Sequence, residues 1–390
     1  MRRICSILIL VLVFAPLAAN AQKIFIPMDA RTQTDHLKAY GIAYWVLTKN
    51  QTVDWLLNYR GGSFLTDFSN DIANECRIRG VAFETIDGSR VASIYSEVQN
   101  ENNNMDVVKL EKAPKVAVYA PPGFLPWDDA VTLAMEYAEI KYDKIWDEDL
   151  MKDKLKEYDW LHLHHEDFTG QYGKFYTAYA GAPWYIAQVQ LLESTAKKLG
   201  FRKVPDLKKA VVEKIREYIA NGGFMFAMCT ATETFDITQA ARNTDIVDQP
   251  LDGDPYDPDC NSKLDYTRCF AFENFRVYPD IFQREHSEID VDAMQLVPNQ
   301  STDYFTLFDF SAKYDPVPTM LTQCHVNVIP GFLGLATMFK KEFIKKSVTI
   351  LGEKEGTNYV RYIHGNFGRG TFTWYGGHDP EDYQHAVGDP

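Results

Sequence analysis

From Lys115 onward, short apolar runs alternate with long amphipathic stretches, and this alternation constrains the fold more than any other feature of the chain. Lys115–Ala120 (KVAVYA), Trp160–His164 (WLHLH) and Phe224–Met228 (FMFAM) read as strands. Between them, Pro126–Ile140 places Trp127, Val131, Met135 and Ala138 on one helical face. Asp147–Glu157, Tyr185–Leu199 and Leu207–Ile219 read as further helices, the last closed by Asn221-Gly222-Gly223. Strands separated by helices pack as an open, mostly parallel α/β sheet flanked by helices. Such sheets bind ligands beyond the carboxyl ends of their strands. The residues that follow each strand are therefore the candidate site.

The chain has 390 residues, enough for two or three domains. Asn100–Asn104 (NENNN) is polar and aperiodic and reads as a linker, which puts a boundary near residue 112. Residues 22–112 are then a smaller N-terminal α+β module. Residues 113–390 form the α/β domain, with an irregular insertion at about 235–345. Ser347–Leu351, Tyr359–Ile363 and Gly370–Tyr375 read as late strands. The first 21 residues have the pattern of a cleaved secretory leader: Met1-Arg2-Arg3, an apolar run from Ile4 to Ala19, and Ala19-Asn20-Ala21 as the cleavage site. The expected location is exported, periplasmic or secreted, with no stable membrane insertion after cleavage. Among the cysteines beyond the leader, Cys260 and Cys269 flank a short polar loop and are the expected disulfide. The formal net charge of −14 argues against nucleic acid as a partner. The expected partner is a small-molecule, peptide or glycan substrate. Aromatic residues make up 14% of the chain, which suits either a large core or a stacking surface.

Two segments carry chemistry. In Gly222-Gly223-Phe224-Met225-Phe226-Ala227-Met228-Cys229-Thr230-Ala231, an apolar strand runs straight into a cysteine. A nucleophile on a tight strand-to-helix turn needs small flanking residues, here Ala227 and Ala231. The following helix would aim its N-terminal N–H groups at the thiol and favour thiolate. In Trp374-Tyr375-Gly376-Gly377-His378-Asp379-Pro380-Glu381, a strand runs into two glycines and then a histidine with carboxylates one and three residues on. A thiol nucleophile needs a base, and the base needs an orienting acid. Cys229, His378 and either Glu381 or Asp379 supply all three. The blander alternative is a core cysteine and a turn histidine.

With these residues the sequence resembles the class I glutamine amidotransferase-like superfamily, over about residues 113–390. The resemblance implies a flavodoxin-like sheet, a catalytic cysteine at Cys229 and a histidine at His378. It also implies that the loop after the Trp160–His164 strand helps form an oxyanion hole, with Thr169 and Gly170 as backbone donors. His36-Leu37-Lys38-Ala39-Tyr40-Gly41, Met228–Ala231 and Gly376–Glu381 are similar to exported bacterial proteins often labelled asparagine synthetase B. That label implies ATP-dependent amide synthesis. No phosphate-cradling glycine loop accompanies it, since Gly61-Gly62-Ser63 is not one, so no cofactor is assigned.

His162, His164 and His165, with Glu166 and Asp167, fit either a metal site or a polar pocket rim. Their spacing matches no zinc signature, so His164 and His165 are assigned to the rim together with Thr230, and no metal is assigned. The acidic stretch Asp248–Asp259 lacks ordered calcium-loop spacing and reads as a solvated loop. Two functions follow as alternatives: a cysteine hydrolase acting on an amide or small ester, or a non-catalytic exported binding module on the same fold.

Overall fold

The structure, a computed structural model, describes residues 22–122, 130–290, 304–308, 311–315, 328–330 and 338–377. The leader, Cys324, His378, Asp379 and Glu381 lie outside the described residues. The first layer contains β1 (Lys23–Ile26), α1 (His36–Thr48), β2 (Val53–Leu57), β3 (Ser63–Asp67), α2 (Asn70–Ile78), β4 (Glu84–Ile86), α3 (Gly88–Val98) and β5 (Asp106–Leu110). Its strands form an antiparallel sheet in the order β4-β1-β3-β2-β5. Side chains start its helices: Asp35, Ser69 and Asp87 accept from the backbone amides of Lys38, Asp71 and Arg90, which supplies partners that the first helical turn lacks.

The second layer begins with β6 (Val116–Tyr119), α4 (Ala130–Tyr137), β7 (Tyr142–Ile145), α5 (Asp147–Met151) and β8 (Trp160–Leu163). It continues with α6 (Tyr176–Tyr179), α7 (Pro183–Lys198), α8 (Val204–Ala220), β9 (Phe224–Met228), α9 (Thr230–Ala240) and α10 (Gln249–Asp252). It ends with β10 (Tyr304–Leu307), β11 (Val328–Pro330), β12 (Phe339–Lys340), β13 (Thr349–Glu353), β14 (Tyr359–Phe367) and β15 (Gly370–Tyr375). These strands form one mixed sheet in the order β11-β10-β13-β14-β15-β9-β8-β6-β7, with β12 paired to β14. The run β7-β6-β8-β9-β15 is parallel. From β15 outward the pairing is antiparallel. The fold is thus α/β, and the expectation of a mostly parallel sheet needs correction: the late strands hairpin back beside β15 and add an antiparallel half.

Three further expectations change. The Asn100–Asn104 run is not a linker between domains, because β5 follows it and still pairs with β2 of the first sheet. Its backbone closes a turn, with Asn103 N donating to Asn100 O at 3.0 Å. The step between sheets falls between Leu110 and Val116, a stretch that contains residue 112. Cys260 and Cys269 are both buried free thiols, and Cys269 Sγ donates to Asp236 O at 3.3 Å. The charged helix expected over Asp147–Glu157 divides at Met151 into α5 and a short 3-10 turn at Lys154–Glu157.

The two sheets meet at α1 and α4. A Cβ on Gly41 would stand 1.9 Å from Ala138 O, so only glycine lets the helices approach this closely. Arg79 and Lys38 reach across to Glu139 at 3.0 and 3.3 Å. Glu139 is half exposed while the Arg79 side chain is buried, so these ion pairs add to the close packing of the helices. No helix among the described residues is long and apolar enough to cross a membrane.

Candidate functional site

β9 is buried at Met225, Ala227 and Met228 and half-buried at Phe224 and Phe226, and Cys229 follows it as the residue that caps α9. Its backbone sits at φ 49°, ψ −138°. A side-chain-bearing residue rarely adopts such a conformation, which persists only when its surroundings enforce it. Here the enforcement is visible. Cys229 N donates to Tyr375 O at 3.2 Å and to Gly377 O at 3.1 Å, so the carboxyl end of β15 grips the turn. Thr232 donates back to Cys229 O from its amide, at 3.2 Å, and from its hydroxyl, at 2.6 Å. Ala227 and Ala231 on either side are fully buried. This is the backbone geometry of a nucleophile elbow. Cys229 stands at the N-terminus of α9.

The end of β8 lies alongside. In the parallel register Leu163 pairs with Ala227. Thr230 Oγ1 donates to His165 O at 2.7 Å, which ties the residue after Cys229 to the β8 loop. His164 is buried, and its ring centroid lies 4.3 Å from that of the exposed His165. His162 stacks between His164 and Phe226 and belongs to the strand rather than the rim.

Thr169 does not offer the free backbone donor that the resemblance implied. Thr169 N already donates to Asp167 Oδ1 at 2.7 Å. Gly170, at φ 83°, faces α8, where an added Cβ would stand 2.7 Å from the Pro205 ring. The backbone donor that the turn itself offers is Thr230 N, on the residue after the thiol and at the first position of α9.

Sequence reasoning missed a set of buried charges behind the elbow. Every residue of α9 is buried, including Glu233 and Asp236. Asp236 accepts from the amides of Phe270, Ala271 and Phe272 at 2.6, 2.7 and 2.9 Å. Burial still pushes its carboxyl up to about 6. Burial and the charge of Asp290 push Glu233 well above the usual carboxylate range. His286 lies against both Glu233 and Asp167. A separate pair, Lys208 and Asp147, meets at 2.9 Å beneath Tyr119 and Trp146 and is wholly buried. The acidic stretch is not simply solvated. Lys203 lies against Asp245, Asp252 and Asp254, and these three carboxylates could otherwise converge on a cation. None of these contacts has a periodic signal, because the partners are far apart in sequence.

No protein-family model matches the chain, and no curated protein matches it. Solved structures do align with it. A cytoplasmic protein from Salmonella typhimurium aligns at 10% identity over 68% of this chain and 89% of its own, with a TM-score of 0.36. A ThuA-like protein from Bacteroides uniformis aligns at 11% identity over 70% of this chain and 85% of its own, with a TM-score of 0.29. A β-galactosidase from Bacillus circulans aligns at 11% identity over 67% of this chain and 28% of its own, with a TM-score of 0.27. These scores are low, and the functional reading rests on the chain's own residues.

Proposed function

We propose that the chain is an exported, amidotransferase-like cysteine hydrolase acting on an amide or small ester. The observation that carries this reading is the backbone of Cys229, held at φ 49° between a parallel strand and a helix N-terminus. Strain of this kind concentrates at functional sites. The parallel strand order β7-β6-β8-β9-β15 supports it, because it is the flavodoxin-like order with the first strand second from the edge. The grip of Gly377 O on Cys229 N supports a partnership with His378, which is joined to Gly377 by a peptide bond.

In this reading Cys229 gives its proton to His378, and the thiolate adds to the substrate carbonyl. Thr230 N stabilises the oxyanion. The carbon–nitrogen or carbon–oxygen bond breaks, and His378 returns the proton to the departing amine or alcohol. Water, deprotonated by the same ring, then releases the acid from the thioester and regenerates the thiol. Glu381 or Asp379 orients the ring. Export follows from the leader, and the mature chain begins at Gln22.

One observation favours the second reading, a binding module that has kept the fold: Cys229 is only 1% exposed. One experiment separates the two. The full mature chain is incubated with glutamine, asparagine, short peptide amides and p-nitrophenyl acetate, then digested for mass spectrometry. An acyl adduct on the Cys229 peptide, with turnover lost in Cys229→Ala, supports the hydrolase. Turnover that survives Cys229→Ala, or no adduct and no turnover with any of them, overturns it.

A further inference from the structure

Behind the elbow, three elements converge on one imidazole. His286, 3% exposed, comes from the segment after α10. Its Nε2 lies 3.4 Å from Asp167 Oδ2 in the loop after β8. Its Nδ1 lies 3.7 Å from Glu233 Oε1 in the first turns of α9. Both separations exceed a charge-assisted hydrogen bond, and neither His286 Nε2 nor Glu233 Oε1 has a hydrogen-bond partner. The rest of the group is anchored. Ser287 Oγ donates to Glu233 Oε2 at 2.8 Å. Lys174 Nζ donates to Asp280 O at 3.0 Å.

Asp167 also holds a strained loop. It accepts from Thr169 N and Gly173 N, both at 2.7 Å, and from Thr169 Oγ1. Within that loop Tyr172 and Lys174 are non-glycine residues at φ 53° and 60°. Such residues persist only where their surroundings enforce them, so the loop stays in place only while its anchors hold.

We propose that His286 is a positioning residue that clasps the loop after β8 to the helix after Cys229, its Nε2 edge facing Asp167 and its Nδ1 edge facing Glu233. The other charged groups that act on this cluster are Asp290 and Glu285, near His286 in the chain, and Lys174 in the loop. Burial works to raise Asp167, but His286, the Thr169 hydroxyl and the Gly173 amide outweigh it, so the Asp167 arm stays ionised. The consequence for catalysis rests on the hydrolase reading, because the clasp fixes the helix that points at Cys229. The clasp itself can be measured without any activity, so its failure and the failure of that reading are distinguishable.

The test is hydrogen exchange on the full mature chain, comparing wild type with His286→Ala, His286→Gln and His286→Asn. The glutamine amide nitrogen sits where Nε2 does, and the asparagine amide nitrogen where Nδ1 does. His286→Ala is expected to speed exchange at Thr169–Lys174 about tenfold or more, with β6 and β9 unchanged. His286→Gln restores protection of that loop and His286→Asn does not. Faster exchange spread evenly over the sheet, or no change at Thr169–Lys174, would each overturn the proposal. If His286→Ala does not fold, the contrast between His286→Gln and His286→Asn decides.

Discussion

Replacing Cys229 with glycine should leave the fold more stable than replacing it with alanine, the reverse of the usual order. Both variants lose the thiol, so the comparison isolates the backbone. At φ 49°, ψ −138° the residue lies outside the left-handed helical basin that side-chain-bearing residues sometimes visit. Its strain therefore belongs near the upper end of the range, about 3 kcal/mol, and alanine retains it. Glycine relieves it but has a more disordered unfolded state, which costs about 1 kcal/mol. Glycine also forgoes one buried methyl, worth about 0.8 kcal/mol. The balance is about 1 kcal/mol in favour of glycine. Urea unfolding followed by tryptophan fluorescence measures it as the difference in unfolding free energy between Cys229→Gly and Cys229→Ala. Alanine equal to or more stable than glycine would show that the turn is not strained, and the elbow argument would lose its basis.

Four further outcomes follow from the geometry. Lys208→Met strands the buried Asp147 carboxylate and should cost about 3–5 kcal/mol in urea unfolding, while Lys208→Met with Asp147→Asn recovers much of that loss. Gly41→Ala drives a Cβ into Ala138 O and should cost about 1–3 kcal/mol, with hydrogen exchange in α1 and α4 rising before that of β9. Asp236→Asn leaves backbone amides of 270–272 facing an amide donor and should cost several kcal/mol, at about 1–3 per stranded donor, read from the thermal midpoint. Glu233 is held above its ordinary carboxyl range, so the folded chain keeps a proton that the unfolded chain has lost. Its contribution therefore declines as pH rises above about 4.5. Glu233→Gln should gain stability relative to wild type between about pH 5 and about pH 8, and a constant gap across that range would contradict the assignment.

The parallel core was legible because its strands are local apolar runs bounded by glycine or charge. Phe224–Met228 and Gly370–Tyr375 are strands over the full ranges that their patterns predicted. Strand β7 was not legible: it is an edge strand with two exposed residues in four, so its pattern carries no apolar alternation. Pairing was harder to read than strand position. Nothing local in β14 says that it turns antiparallel against β15, while β9 lies parallel on the other side. The cysteine at the elbow could be read from its alanine flanks, yet the charges behind it could not. His286, Asp167 and Glu233 come from three distant segments, and only the folded chain brings them together. The cysteine pairing failed for a related reason. Spacing says nothing of geometry, and Cys269 instead donates to a carbonyl of α9.

The central claim is that Cys229 is an activated nucleophile, and the selectivity of its alkylation tests this most directly. Iodoacetamide is added to the native mature chain, and the rate at each cysteine is read by peptide mass spectrometry. The account predicts that Cys229 reacts ahead of Cys76, Cys260 and Cys269. A Cys229 that stays unmodified until the chain is unfolded would contradict it.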